Sequence, residues 1–298
     1  MSLYRFFCVL TIFLFISCKN SNDSVKPNIV LFLVDDLGWQ DTSVSFWDRE
    51  TKFNRLYNTP NMEILADMGV KFTNAYATPV CSPSRISLMT GINAARHRVT
   101  NWTLHPDVKK PAEINHNTFN FPNWNYNGLS VSDSIPNSVL ATPLPQVLKE
   151  NGYFTIHAGK AHLGAIGYPS SNPLNIGFDV NIAGHAAGAP QSYLGIDNFG
   201  NNDLKNKIWA VPGLEKYHGR DIFLTEALTL EILENLKQPI ESKSPFFLYF
   251  SLYNVHTPLM QDNRFVEKYQ NIGLESSEIK YASMIESMDP VSYTHLRA

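Results

Sequence analysis

Pro27-Asn28-Ile29-Val30-Leu31-Phe32-Leu33-Val34 runs straight into Asp35-Asp36. An apolar run with no polar alternation reads as a strand buried on both faces, the signature of a central parallel strand. Working outward, Thr59 and Pro60 supply a cap and a first-turn proline for a helix through Met68, closed by Gly69. Residues 70–76 then read as a strand. A helix over 144–150 is ended by Gly152 and followed by a strand over 153–158. Asp221 caps a longer helix whose apolar face includes Leu224, Leu228 and Leu236, and Pro245 starts a third apolar run, 246–252. Helices alternating with buried strands predict an α/β fold with a mostly parallel central sheet flanked by helices. Ligands of such sheets bind beyond the carboxyl ends of the strands. Those ends release Asp35-Asp36, Lys160 with His162, and His256. Residues 101–138 and 183–219, rich in Asn, Gly, Pro and aromatics, read as long functional loops.

The chain has 298 residues, enough for a sizeable core, and shows no internal repeat or second-domain boundary. Its 16 glycines and 18 prolines are near average usage, which excludes collagen-like and low-complexity chains. A net charge of −3 argues against a nucleic-acid partner. The apolar run 6–16 would span about 17 Å as a helix, against a bilayer core of about 30 Å, so it reads as an export signal. Phe15-Ile16-Ser17-Cys18 resembles a bacterial lipobox. It predicts a lipoprotein-type signal over 1–17, lipidation of Cys18 and a polar tether over 18–26, placing the protein on a membrane. The alternative is ordinary cleavage near Ser17 and a soluble periplasmic protein. At the other end, Val291-Ser292-Tyr293-Thr294-His295-Leu296-Arg297-Ala298 is expected to break the helical pattern of 279–288. It resembles a reading frame of a transposase adapter, so residues 290–298 are read as a non-native tail on a truncated domain spanning 27–289. Three cysteines are too few for a disulfide framework, and the exported domain keeps one, Cys81.

Two unit charges about 4 Å apart repel by roughly 4 kcal/mol at an effective dielectric near 20. Adjacent carboxylates ending a hydrophobic strand therefore fit a bound divalent cation, and oxygen ligands suit Ca2+ or Mg2+. A turn with one Asp capping and the other solvated fits them as well. In Cys81-Ser82-Pro83-Ser84-Arg85 the proline marks a helix start, and Gly91 marks the end. Cys81 then sits at a helix N-terminus, where anions are favoured, with Arg85 one turn on. An unmodified thiol there would be nucleophilic; a buried inert cysteine is the bland alternative. Taken singly, Lys160 and His256 read as solvated or structurally satisfied side chains. His97, His105, His116, His185 and His218 carry no signal that separates substrate contact from decoration.

Cys81-Ser82-Pro83-Ser84-Arg85 with Leu88-Met89-Thr90-Gly91 resembles the signature of type I sulfatases, formylglycine-dependent enzymes of the alkaline phosphatase superfamily. Residues 28–36, Gly159-Lys160-Ala161-His162-Leu163-Gly164 and His256 with Pro258 are similar to further motifs of that family, in order along the chain. The resemblance implies that a maturation enzyme oxidises Cys81 to Cα-formylglycine. It implies that Asp35, Asp36 and modified Cys81 bind Ca2+, with Mg2+ the alternative. One hydroxyl of the hydrated aldehyde would attack sulfur and the other would expel sulfate. Arg85 would hold the hydrate, Lys160 a sulfate oxygen, and His162 the formylglycine; His256 would protonate the departing sugar oxygen. The implied substrate is a sulfated carbohydrate. The family's later Asp-Asn metal pair and active-site lysine are not found, so the chain as it stands is expected to be inactive alone. Alternatives are a phosphonate or phosphodiester hydrolase of the same superfamily, or a catalytically dead sugar-binding surface lipoprotein.

Overall fold

The structure, a computed structural model, describes residues 26–109, 117–118, 122–203, 205 and 207–294. The export signal, Cys18 and all of the tether except Lys26 lie outside the described residues, as does His116. In chain order the elements are β1 (Ile29–Leu33), α1 (Pro60–Met68), α2 (Cys81–Thr90), α3 (Ala94–His97), β2 (Gly128–Ser130), β3 (Ser138–Leu140), α4 (Leu144–Glu150), β4 (Phe154–Gly159), β5 (Val180–Ile182), α5 (Leu224–Glu241), β6 (Phe246–Ser251), α6 (Glu267–Gln270) and α7 (Ser276–Thr294). The main sheet has the order β1-β6-β4-β5 with every pairing parallel, and β2 and β3 form a small parallel pair. No described helix is long and apolar enough to cross a membrane.

All six residues of β6 are buried. Leu248 and Phe250 join one core cluster with Leu228, Ile232 and Leu236 of α5 and Ile285 of α7. Phe247 and Tyr249 join the other with Ile86 and Met89 of α2. The period-two alternation of the strand thus feeds helices on both faces, giving three layers. β1 is half-buried and outermost among the described strands, not central as its apolar run predicted. Both of its faces are covered, since Val30 and Phe32 pack on one cluster and Leu31 and Leu33 on the other; it is its edge that is open.

Four local readings are corrected. Residues 70–76 form no strand, and Val70, Phe72 and Tyr76 are exposed. β-propensity becomes a strand only beside a partner, and none of the described strands pairs with this segment. The Thr59 hydroxyl does not cap α1 but bonds Ser43; the Asp289 carboxylate, from α7, accepts the N–H groups of Asn61 and Met62 instead. α5 starts at Leu224 rather than next to Asp221, because Phe223 is held extended by a bridge to Leu194. α7 does not break at Val291: it continues through Pro290 to Thr294, with Val291 packed into the larger cluster.

Candidate active site

Register brings the site together. Leu33 pairs with Ser251, and Ser251 pairs with Gly159, so β1, β6 and β4 end level. The following residues stay stitched: Asp35 N–H donates to Asn254 O (2.8 Å), Val255 N–H to Asp35 O (2.7 Å) and Lys160 N–H to Ser251 O (2.8 Å). Gly159 has φ +94°, and a Cβ there would stand 2.0 Å from Ser251 O, so only glycine allows this approach.

α2 delivers two groups to these strand ends. Its first residue is Cys81, preceded by Val80 in extended conformation, and Gly91 closes it in the left-handed region with its N–H on Ser87 O. One turn in, Arg85 is fully buried. Its Nη2 donates to Asp35 Oδ1 (3.0 Å), and its Nη1 donates to Lys160 O (2.7 Å) and to Ser251 Oγ. One guanidinium therefore ties the ends of β1, β4 and β6. Lys160, also fully buried, donates to Asp35 Oδ2. Burial pushes the Asp35 carboxyl up, but Arg85, Lys160 and His256 together hold it below the usual carboxylate range. Burial and the neighbouring Arg85 lower Lys160, against the pull of Asp35 and Cys81.

Asp36 is different: its backbone is left-handed (φ 58°) and its side chain 62% exposed, with Oδ2 3.6 Å from His256 Nε2. The other ring nitrogen, His256 Nδ1, lies 2.8 Å from Thr257 O. A carbonyl only accepts, so Nδ1 carries a proton and Nε2 is the group that can gain or give one. His162 Nε2 lies 2.8 Å from Thr103 O and is by the same reasoning protonated, leaving buried Nδ1 as an unpartnered acceptor. Burial first, then Lys160 and Arg85, hold His162 well below its ordinary value, so the ring is neutral. Ligand atoms of Asp35, Asp36 and His256 all lie within 4.8 Å of one another.

Cys81, His162 and His256 open onto one cleft of about 580 Å³, which Trp102, Gln191 and Trp209 also line. Arg85, Lys160 and Asp35 lie beneath, out of solvent. All six sequence-predicted side chains are thus assembled with Asp36, in two tiers. Lys160, expected to hold a sulfate oxygen, is engaged with Asp35 here. Sequence reasoning missed Ser251 and Thr103, which hold Arg85 and His162; nothing in their local pattern marked them. It also missed Trp102, Gln191 and Trp209, although the loops that carry them were singled out. Of the histidines left unassigned, His97 braces the start of α2 through Pro83 O and Ser87.

A doubly covered parallel sheet, with a cysteine-headed helix and a buried arginine–carboxylate–lysine cluster at its carboxyl end, defines this as a sulfatase-type α/β domain. The chain belongs to the sulfatase family, whose model matches residues 27–291. It is 31% identical over 251 residues to N-acetylgalactosamine-6-sulfatase of Mus musculus, covering 80% of this chain and 42% of that protein. With arylsulfatase G of Mus musculus it shares 30% identity over 273 residues, covering 82% of this chain and 44% of the relative. The crystal structure of Ps i-CgsB superposes with a TM-score of 0.65 at 26% identity, over 91% of this chain and 54% of that one. The chain spans about two fifths of the length of the curated relatives it matches.

Proposed function

We propose that this chain carries the nucleophile-bearing part of an exported sulfuric ester hydrolase that removes sulfate from a sulfated carbohydrate. The observation that carries the reading is the convergence of Cys81, His162 and His256 on one cleft above the Arg85–Asp35–Lys160 cluster. The relatives named for sulfate-ester cleavage support the same chemistry.

Cys81 as Cα-formylglycine supplies a hydrated aldehyde, whose hydroxyls serve as nucleophile and as the means of releasing sulfate. His162 Nδ1, an acceptor with no other partner, holds a hydroxyl at position 81 and orients it. Arg85 and Lys160, less the charge of Asp35, leave one net positive charge under the cleft, in the low-dielectric layer where it draws an anionic ester inward. His256 Nε2, 3.6 Å from Asp36 Oδ2, is placed at the cleft to pass a proton to the departing sugar oxygen.

The donor set fits a hard divalent cation. Asp36 is free toward solvent, and Asp35 spends two of about four carboxylate lone-pair positions on Arg85 and Lys160. Asp35, Asp36 and the oxygen of modified Cys81 would hold Ca2+, with Mg2+ the alternative. Ca2+ takes about 6–8 oxygens, so further oxygen ligands would complete the site. Bound there, such an ion would stabilise negative charge on an oxygen at position 81.

The test is intact mass after co-production with a formylglycine-generating enzyme, followed by turnover of an aryl sulfate against an aryl phosphonate by the full-length protein. We expect a loss of about 18 Da at Cys81, by the bond arithmetic of thiol oxidation, and preference for the sulfate. Unmodified Cys81 with retained sugar binding would replace this reading with a sugar-binding lipoprotein; preference for the phosphonate would move the enzyme to the sister activity. Lipid labelling that disappears in Cys18→Ser tests the membrane anchor, and its absence in the wild type favours a periplasmic protein.

A further inference from the structure

The cleft has a wall that the chemistry above does not use. Trp102 and Trp209 are half-buried there, packed on a small cluster of Leu104, Ala186 and Ala187. Each indole comes from one of the two long loops, and each loop is pinned close to the reacting residues. Gln191 N–H donates to Trp209 O (2.7 Å). Beside Trp102, Thr103 N–H donates to Ser82 Oγ (3.1 Å) while Thr103 O accepts from His162. The backbone beside each indole is thus tied at the cleft, Trp102 through Thr103 and Trp209 through Gln191, itself a lining residue. Gln191 adds an amide that can both donate and accept, in the same cleft.

Two tryptophan faces with one neutral hydrogen-bonding group suit a ring that is apolar on its C–H faces and hydroxylated at its rim. About 580 Å³ leaves room for such a ring beyond the ester group. Among the described residues lining the cleft there is no lysine or arginine. We infer that Trp102, Trp209 and Gln191 form the subsite for the sugar ring that bears the ester, and that they select a pyranoside uncharged apart from that one sulfate. This rests on the sulfatase reading of the same cleft.

The experiment uses the full-length, formylglycine-bearing enzyme with Trp209→Ala and Trp209→Phe. Calorimetry measures binding of a desulfated neutral oligosaccharide, and kinetics follow its monosulfated form and a uronate-containing sulfated one. Trp209→Ala is expected to weaken sugar binding and lower kcat/KM on the neutral oligosaccharide by about tenfold to a hundredfold, mainly through KM. Trp209→Phe should recover most of it, and the wild type should prefer the neutral substrate. Unchanged sugar binding in Trp209→Ala, or a loss confined to kcat, overturns the subsite while leaving sulfatase activity standing. A preference for the uronate-containing substrate overturns the selection of uncharged rings. A wild type that cleaves no sulfate ester, yet binds sugar through Trp209, removes the sulfatase reading and keeps the subsite. Thermal midpoints of both variants show whether the fold survives.

Discussion

The carboxylates of Asp35 and Asp36, adjacent in sequence, meet opposite surroundings: that of Asp35 is 6% exposed and pairs with Arg85 and Lys160, while that of Asp36 is 62% exposed and lies 3.6 Å from His256 Nε2. A one-residue step at the end of β1, with Asp36 in the left-handed region, separates a buried, paired carboxylate from an accessible one.

The two should therefore fail differently. Asp35→Asn leaves a buried arginine and lysine without their counter-charge, and should cost roughly 3–5 kcal/mol of folding stability. Asp36→Asn removes an exposed charge, and should stay within roughly 0.5 kcal/mol of wild type while weakening Ca2+ and slowing turnover together. Urea unfolding of both variants decides the first point; unchanged metal affinity in Asp36→Asn removes that residue from the metal site.

Cys81→Ala should abolish turnover and leave the fold intact, because the residue is half-buried at the head of α2 and opens onto the cleft. Circular dichroism and activity on an aryl sulfate check this. Residual activity above about a tenth of wild type, less than the loss expected for a deleted nucleophile, would refute the assignment.

Gly188 abuts the working ring of the site: a Cβ there would stand 2.3 Å from His162 Cε1 and 2.4 Å from its Nδ1. Gly188→Ala should displace His162, lowering kcat by about tenfold or more with a stability cost of about 1–3 kcal/mol. Wild-type kcat in a folded variant would show that Nδ1 holds nothing at position 81.

Folding stability should fall on acidification from neutral pH. Burial lowers His157 to about 3, with Arg85 adding to it, and lowers His185 to about 4. Unfolded, these rings take up protons near 6.5; folded, they resist until about 4 and about 3. The unfolded chain thus binds more protons across that window. The stabilisation is complete above about pH 6.5 and is lost as pH falls below it, by up to about 1.4 kcal/mol per pH unit for each ring. Urea midpoints from pH 7 to 5 measure it, and His185→Gln should reduce the slope; an unaltered slope assigns the pH dependence elsewhere.

The apolar runs of 27–34 and 246–252 determined by themselves that this is a parallel α/β domain, because strands buried on both faces cannot alternate. The motif around Cys81 and Arg85 and the polar residues after each strand were equally legible, since helix starts and strand ends are local chemistry. Tertiary structure decided what each of them touches. Ser251 and Thr103 look ordinary in sequence, and only register and loop packing set them against Arg85 and His162. Residues 70–76 have strand composition, yet only a neighbouring strand could make them one. Asp289 caps a helix more than two hundred residues earlier, a contact no local pattern encodes. The division between buried Asp35 and exposed Asp36 has the same origin: charge and spacing are written in the chain, while desolvation depends on what the fold packs around each carboxylate.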